Sequence, residues 1–340
     1  MTTRVLVTGG NGFVGGHCIA ELLRQGFEVR ATLRDLRKQT AAREAIATTA
    51  ASTDALSFVA AELTRDEGWD AAMQGCAYVL HVASPLGATL PGDADELIVP
   101  ARAGTLRVLG AAARAGVERV VMTSSTAACA QRLRGADSYN DETIWTDPRD
   151  PDLNAYRLSK VLSERAAWDF MTKNGSSMTL TTILPSAIWG PVLTKDGLGS
   201  AQIIRRMLEG RPPALPNVGF CVVDVRDLAA LHVRALLAPD AAGQRFIAAG
   251  DFLWFADMAR ILRDALGEAA TKVPTRVMPD WTVRLLSLFL RPLKAITPTL
   301  GRRHVFDSGK ARERLGFAPR AAGQTIVDCA RSLLRDSPLR

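Results

Sequence analysis

The feature that most constrains the fold is a glycine-rich segment within the first twenty residues. An apolar run at 5–7 leads into a turn with Gly9, Gly12 and Gly15, and helical periodicity follows at 18–24. In the order strand, turn, helix, the glycines have separate tasks: a tight turn, close approach of a pyrophosphate, and packing of helix on strand. Free N–H groups at the helix start favour phosphate. The segment therefore predicts a dinucleotide site.

Strand and helix signals alternate as far as residue 185. Helical stretches separate short apolar runs that are typical of buried strands, at 5–7, 28–34, 56–59, 78–81, 117–122 and 180–184. This alternation predicts an α/β fold with a doubly wound parallel sheet. Beyond residue 185 the pattern loosens. We predict a nucleotide-binding domain at 1–185, to which 216–240 return, and a smaller interleaved α/β substrate lobe at 186–215 and 241–340.

The second strand indicates which dinucleotide binds. An NAD enzyme usually has an acidic residue at the end of this strand, where it accepts from the ribose hydroxyls. Here the strand ends at Arg34, and Asp35, Arg37 and Lys38 follow. A guanidinium can grip a 2′-phosphate with two hydrogen bonds and stack on adenine. The sequence therefore favours NADP(H), while Asp35 keeps NAD(H) open as the disfavoured alternative.

Two further segments carry groups suited to proton transfer. Tyr156 and Lys160 lie four residues apart in a helical stretch, so a phenol and an ammonium share one face. A positive charge near the phenol favours phenolate and brings its pKa toward the working range. The segment 119–126 is an apolar strand that ends in a cluster of hydroxyls, among them Ser124 and Ser125, at the sheet edge where ligands of parallel sheets bind. Either hydroxyl is a candidate donor to a substrate oxygen.

Together these segments resemble the extended short-chain dehydrogenase/reductase family, within the NAD-dependent epimerase/dehydratase superfamily. The similarity covers nearly the whole chain and is strongest to dihydroflavonol reductases, cinnamoyl-CoA reductases and bacterial ketone and aldehyde reductases. The motifs that carry it lie in the family's order, at 8–15, 30–35, 81–85, 123–125, 156–160, 184–191 and 223–228. The resemblance implies a Rossmann-type fold and the reduction of a ketone or aldehyde with NADPH.

The resemblance also implies roles for individual residues. Tyr156 is the general acid in reduction, Ser125 polarises the carbonyl oxygen, and Lys160 binds the nicotinamide ribose and keeps Tyr156 acidic. The residues expected to contact the cofactor are Gly9, Gly12, Phe13, Val14, Gly15, Arg34, Lys38, Glu62, Leu63, Val82, Ala83, Ser84, Tyr156, Lys160, Pro185 and Ile188.

The chain departs from the plant dihydroflavonol reductases at Ala130, where those enzymes have an asparagine that contacts the flavonoid. A site without that polar group cannot select for the matching hydroxyl, so we expect a less polar ketone or aldehyde. The alternatives are a nucleotide-sugar epimerase or dehydratase, a 3-beta-hydroxysteroid-type dehydrogenase, and a non-catalytic dinucleotide sensor. Thr126 is followed by two alanines instead of the Asp-Glu pair of sugar dehydratases, which disfavours dehydration.

Composition disfavours several other classes of protein. The 340 residues are 47% hydrophobic, enough for a large core. Five scattered cysteines and four histidines without ligand spacing argue against disulfides or a metal site. The net charge of +7 is spread among acids, so we expect no nucleic-acid partner. We expect no signal peptide and no membrane span, and hence a cytoplasmic monomer or homodimer that acts on a small molecule.

Overall fold

The computed structural model describes residues 2–85, 93–194 and 198–336. Its strands are β1 Arg4–Val7, β2 Glu28–Leu33, β3 Leu56–Ala60, β4 Tyr78–His81, β5 Arg119–Thr123, β6 Ser138–Asn140, β7 Thr179–Pro185, β8 Ala187–Trp189, β9 Leu215–Pro216, β10 Gly219–Asp224, β11 Arg245–Ala248, β12 Phe252–Trp254, β13 Val277–Met278 and β14 His304–Phe306. Its helices are α1 Phe13–Arg24, α2 Gln39–Ala47, α3 Trp69–Met73, α4 Asp95–Arg114, α5 Ala155–Asn174, α6 Ala201–Leu208, α7 Val225–Leu237, α8 Phe255–Leu266, α9 Asp280–Leu286, α10 Arg291–Ile296, α11 Gly309–Leu315 and α12 Ala322–Asp336.

Seven parallel strands form the main sheet, in the order β11-β7-β5-β4-β1-β2-β3. Successive side chains of a strand point to opposite faces, and both faces are covered here. Val5 and Val7 pack in the core that contains α1 and α7, whereas Leu6 packs in the core that contains α3 and α4. The predicted doubly wound, Rossmann-type α/β fold is confirmed.

The strand order reverses between β1 and β4, which lie side by side and continue toward opposite ends of the sheet. At such a point the connections after the two strands diverge and leave a crevice beyond their carboxyl ends. The glycine turn follows β1, and residues 82–84 follow β4. The topology therefore places these two predicted cofactor segments on either side of one crevice.

A second set of elements has its own sheet and its own core, separate from the main sheet. Strands β8, β10 and β12 form a small sheet, and its core also contains residues of α6, α8 and α12, among them Ile204, Met258 and Ile326. The apolar residues of α6 and α8 recur every three or four positions, so one face of each helix is buried in that core.

Two strands do not lie where the predicted division into domains would put them. Strand β10, within 216–240, pairs with β8 and β12, while Val223 of β10 and the helix after it, α7, pack in the core against the main sheet. Strand β11, within 241–340, is the outer strand of the main sheet, beside β7. The predictions were wrong here because a short apolar strand does not reveal its pairing partner. The division into domains stays a prediction, and residues 195–197 and 337–340 of the lobe lie outside the described residues.

Across 2–85, 93–194 and 198–336, none of the helices combines the length and the apolar character that a membrane span requires.

Candidate active site

The turn after β1 has the backbone shape of a phosphate cradle. Gly9 has φ +72°, which favours glycine, and the Gly12 amide donates to the Gly9 carbonyl oxygen at 2.9 Å. A Cβ on Gly15 would collide with that same oxygen. Helix α1 begins directly afterwards without a side-chain cap, so its first N–H groups are open to a ligand. The turn thus fits the pyrophosphate of a dinucleotide.

Thr8 ties the two sides of the crevice together. Its Oγ1 accepts hydrogen bonds from the amides of Val82, at 3.1 Å, and Ala83, at 2.9 Å, and lies 3.0 Å from His81 Nδ1. The backbone after β4 is therefore held against Gly9, where a Cβ would lie 3.2 Å from Ala83 Cβ. Burial lowers the pKa of His81 to about 3, so its ring is neutral and serves this junction.

The end of β2 presents cations to solvent. Arg34 is exposed and, within the described part of the chain, its guanidinium has no hydrogen-bond or ion-pair partner. Lys38 is exposed in the same loop. Asp35, in contrast, accepts from the Arg37 amide at 3.0 Å and pairs with the Arg37 guanidinium at 2.9 Å, which lowers the pKa of Asp35. The Asp35 carboxylate, which kept NAD(H) as an alternative, is thus already bonded to Arg37 within the loop.

The other predicted cofactor residues also lie beyond the carboxyl ends of parallel strands. Glu62 and Leu63 lie two and three residues after the end of β3, Ser84 follows β4, and Pro185 ends β7. Phe13 and Val14 open α1. Ile188 lies in β8, the strand that follows β7 in the chain, and is paired there with Val223 of β10. The main sheet therefore brings nearly all these residues to one edge.

The two serines after β5 have different surroundings. Ser124 donates to a carboxylate oxygen of Glu164 at 2.5 Å and is buried away from the crevice. Ser125 begins a short 3-10 helix at 126–129 and accepts from the Ala127 amide at 3.2 Å, and its hydroxyl lies near enough to the Tyr156 phenol to lower the phenol pKa. The structure therefore brings Ser125, and not Ser124, to the tyrosine.

Tyr156 and Lys160 lie near the start of α5, one turn apart, and Asn154 caps the helix by accepting from the Arg157 amide at 2.9 Å. Burial raises the pKa of Tyr156, and the Ser125 hydroxyl and the positive charge of Arg157 oppose that effect. The sequence assigned this electrostatic role to Lys160. The positive charge of Arg157 also lowers the phenol pKa, and the role of Lys160 stays a prediction.

Lys160 is nearly fully buried, and its ammonium has no hydrogen-bond or ion-pair partner within the described residues. Burial lowers the pKa of Lys160 to about 8, and the nearby negative charge of Glu164 works in the opposite direction. Its positive charge in turn depresses the pKa of His81 at the end of β4. The ammonium therefore lies near the end of β4, which borders the crevice between β1 and β4.

A saturated ion pair underlies this group. Glu164 is fully buried and accepts from Arg245 Nε at 2.9 Å, from Thr182 at 2.9 Å and from Ser124. The Arg245 guanidinium stacks on Trp145, with Cζ 3.7 Å from the ring centroid. Its remaining N–H groups donate to backbone carbonyl oxygens, those of Ala128, Glu142 and Ile144. Each donor has an acceptor, so the network fixes α5 against β5, β7 and β11.

A cleft with about 470 Å³ of empty space, partly open to solvent, adjoins the catalytic group. Its lining includes the residue directly after each of Ser125, Tyr156 and Pro185, which are Thr126, Arg157 and Ser186. Ala130, whose side chain replaces the plant asparagine, also lines it. Sequence reasoning missed Arg157, although a charged residue directly after the predicted catalytic tyrosine was an available signal.

Comparison with known proteins places these features in a family. The model of the NAD dependent epimerase/dehydratase family matches residues 5–250. The chain is 29% identical to ketoreductase azaE of Aspergillus niger over 99% of both proteins. It is 36% identical to cinnamoyl-CoA reductase 1 of Oryza sativa subsp. japonica, over 76% of this chain and 75% of that protein.

Solved structures show the same fold. The crystal structure of yeast methylglyoxal/isovaleraldehyde reductase Gre2, complexed with NADPH, superposes with a TM-score of 0.81. The two chains are 25% identical, and the match covers 98% of this chain and 99% of the yeast protein. The similarity thus extends over the main sheet and the second set of elements.

Proposed function

This chain belongs to the NAD dependent epimerase/dehydratase family, and from that premise we propose that it is an NADPH-dependent carbonyl reductase. It reduces a ketone or an aldehyde to an alcohol, and the same site catalyses the reverse oxidation. The observation that carries the proposal is the convergence of Ser125 and Tyr156, with the open ammonium of Lys160, beside the glycine turn. The relatives named above, a ketoreductase, a cinnamoyl-CoA reductase and an aldehyde reductase, support this reaction class.

The cations at the end of β2 favour NADPH over NADH. Arg34 is free to pair with a 2′-phosphate, and the carboxylate of Asp35 is already neutralised by Arg37. The yeast reductase with the same fold was crystallised with NADPH. In this proposal the glycine turn holds the pyrophosphate, Arg34 and Lys38 hold the 2′-phosphate end, and Lys160 holds the nicotinamide ribose.

The protonation states suit reduction. When bound, NADPH supplies the hydride that adds to the carbonyl carbon. The raised pKa of Tyr156 keeps its phenol protonated at neutral pH, so it can donate its proton to the carbonyl oxygen. Ser125 donates a hydrogen bond to the same oxygen and polarises the carbonyl bond. Lys160, with a pKa of about 8, carries its positive charge at neutral pH and orients the ribose hydroxyls.

The direct test is the loss of NADPH absorbance when aryl ketones, aldehydes and diketones are added. Replacing Tyr156 by phenylalanine should lower kcat by about 10²- to 10⁴-fold, because the proton donor is lost. Binding of NADPH, followed by fluorescence, should be retained. Tyr78→Phe is the matched control, since Tyr78 lies at the start of β4, at the end of the strand away from the crevice.

Turnover that survives Tyr156→Phe would refute the role of the phenol. Firmly held NAD, released when the protein is denatured, together with no NADPH oxidation, would favour a nucleotide-sugar epimerase instead. Failure to bind either dinucleotide would contradict the cofactor assignment itself.

We propose a cytoplasmic monomer or homodimer as the working form. All five cysteines are buried and free of disulfides, and burial raises the pKa of the Cys76 and Cys221 thiols. Such thiols suit a reducing compartment. Light scattering on the purified chain decides between the two assemblies.

A further inference from the structure

The cleft beside Tyr156 is lined by a guanidinium that no described residue hydrogen-bonds or pairs with. Arg157 is half-buried and lines the cleft, and within the described residues its side chain makes no hydrogen bond and no ion pair. The acidic group that acts on it besides the phenol, Asp150, is not within ion-pair distance. The Arg157 nitrogens are not among the buried polar atoms that lack a partner, so they remain accessible from the cleft. This guanidinium is therefore open to an acceptor that a ligand brings.

His304 adds a second unsatisfied group to the same cleft. Its Nε2 is buried without a partner at hydrogen-bond geometry, although the Leu133 backbone lies nearby. Burial and the charges of Arg157 and Arg302 lower the pKa of His304, so its ring is neutral at pH 7. Asn140 donates to Ser138 Oγ at 3.0 Å, and that hydroxyl lies 2.8 Å from His304 Nδ1. When the hydroxyl donates to Nδ1, the ring proton is on Nε2, which is then a free donor.

We propose that this cleft binds a carboxylate carried by the carbonyl substrate, and that Arg157 grips it through paired hydrogen bonds with His304 as a further donor. The proposal rests on the proposed carbonyl reduction and names its substrate class, an oxo acid. A planar guanidinium matches a carboxylate in shape, and such bidentate pairs are the strong hydrogen bonds of proteins.

The charge of the cleft selects a monoanion. Arg157 is the one permanently charged side chain among the described residues that line it, and His304 is neutral. A phosphate group, with close to two negative charges, would remain half-compensated there. The other walls are largely apolar, with Leu133, Phe220 and Phe306, which suits the hydrocarbon part of an oxo acid. From the sequence we predict a less polar substrate, because Ala130 stands in place of the plant asparagine and Arg157 is not considered there.

The positive charge of Arg157 also lowers the pKa of Tyr156. The closeness of the two groups limits the distance between the carbonyl and the carboxylate of the substrate. The guanidinium lies near enough to lower the phenol pKa, and the residues that bear the two groups are adjacent on α5. A substrate with its carbonyl oxygen at Tyr156 and its carboxylate at Arg157 therefore has a short chain between these groups. Benzoylformate and levulinate are suitable probes, each paired with its neutral methyl ester.

The kinetic test compares each acid with its ester. The wild-type protein should reduce at least one acid with a higher kcat/KM than its ester. Arg157→Met should lower that acid-to-ester ratio by about 10- to 100-fold, the value of a hydrogen-bonded charge. Arg157→Lys should keep part of the ratio because it keeps the charge. Lys173→Met removes a positive charge from the last turn of the same helix and should leave the ratio unchanged.

A binding test does not depend on turnover. With NADP⁺ present, calorimetry should show that phenylacetate binds more tightly than phenylacetamide to the wild-type protein, and that Arg157→Met removes the difference. The wild-type comparison keeps the proposal testable if the variant does not fold. Equal binding of acid and amide would overturn it.

Three kinetic results would also overturn the carboxylate site. They are an ester preference in both wild-type pairs, an acid preference that persists in Arg157→Met, and an equal loss for acid and ester with the pH profile moved upward. The last would show that Arg157 acts through Tyr156 alone. If phenylacetate binds selectively but no carbonyl compound is reduced, the carboxylate site stands and the proposed reduction fails.

Discussion

Two arginines a short distance apart in the fold have opposite surroundings. Arg245 lies in β11 beneath the catalytic group, and its guanidinium is matched by Glu164, by three backbone carbonyl groups and by the face of Trp145. Arg157 lies on α5 beside the cleft with no hydrogen-bonding partner in the described chain. The first cation holds the site together, and the second is open to a ligand.

The same contrast separates the other cations of the site. Lys160 is nearly fully buried and Arg34 is exposed, yet neither has a hydrogen bond or an ion pair among the residues that the structure describes. Each lies near a region where the proposed cofactor would place oxygen atoms. From this comparison we propose that the number of protein partners, and not burial alone, separates the structural cations of this protein from those that bind ligands.

The largest expected effect is a loss of stability when Arg245, whose donors all have acceptors, is replaced. Arg245→Met leaves the Glu164 carboxylate buried without its cation, and breaking such a pair typically costs about 3–5 kcal/mol. We expect the free energy of unfolding, measured with urea, to fall by that amount. Arg205→Met, at an exposed position of α6, is the control. A loss below about 1 kcal/mol would contradict the view that Arg245 stabilises the fold through Glu164.

A smaller effect is expected at the adenosine end. Arg34→Ala should raise the Kd for NADPH about tenfold, because a charge-assisted contact to the 2′-phosphate is lost. The Kd for NADH should change little. Fluorescence titration with both dinucleotides measures the two values. Equal weakening of both would contradict the phosphate contact and place Arg34 among the ordinary surface arginines.

The ammonium of Lys160 allows a test by pH. Glu164 raises the pKa of Lys160 from the lower value that burial alone would produce, and the result is about 8. Glu164→Gln removes the negative charge, so the pKa of Lys160 should fall and the ammonium should lose its proton at a lower pH. The alkaline limb of the kcat/KM profile should move to lower pH accordingly. If the alkaline limb of the profile does not move, or moves to higher pH, Glu164 does not set the pKa of Lys160 on which activity depends.

The smallest effect is expected from the open arginine. Arg157→Met removes a cation that has no hydrogen bond or ion pair with any described residue, so the free energy of unfolding should stay the same or rise by up to about 1 kcal/mol. This is the same substitution as in Arg245→Met, with the opposite expectation. A loss of 3 kcal/mol or more, on the scale of a broken buried pair, would show that Arg157 is structural after all.

The fold could be predicted from the sequence because its signals are local. The glycine turn, the six apolar runs and the helical periods each lie within a few residues, and the predicted sheet is confirmed. The strands that were misplaced, β10 and β11, are short and apolar, and their pairing depends on elements far away in the chain. The residues of the site stay predictions, although the structure brings Ser125 to Tyr156 and Lys160 near the end of β4.

The sequence by itself determined the order of the elements and the types of side chain at the sheet edge, since periodicity and motif spacing are properties of neighbouring residues. Only the tertiary structure decided which groups each serine meets, and which cations find acceptors. The resemblance to known reductases already selected Ser125, but that Ser124 donates to Glu164 while Ser125 lies near Tyr156 depends on the packing of α5. Arg157 and Arg245 differ because their partners come from distant strands and loops, and no local pattern records those contacts.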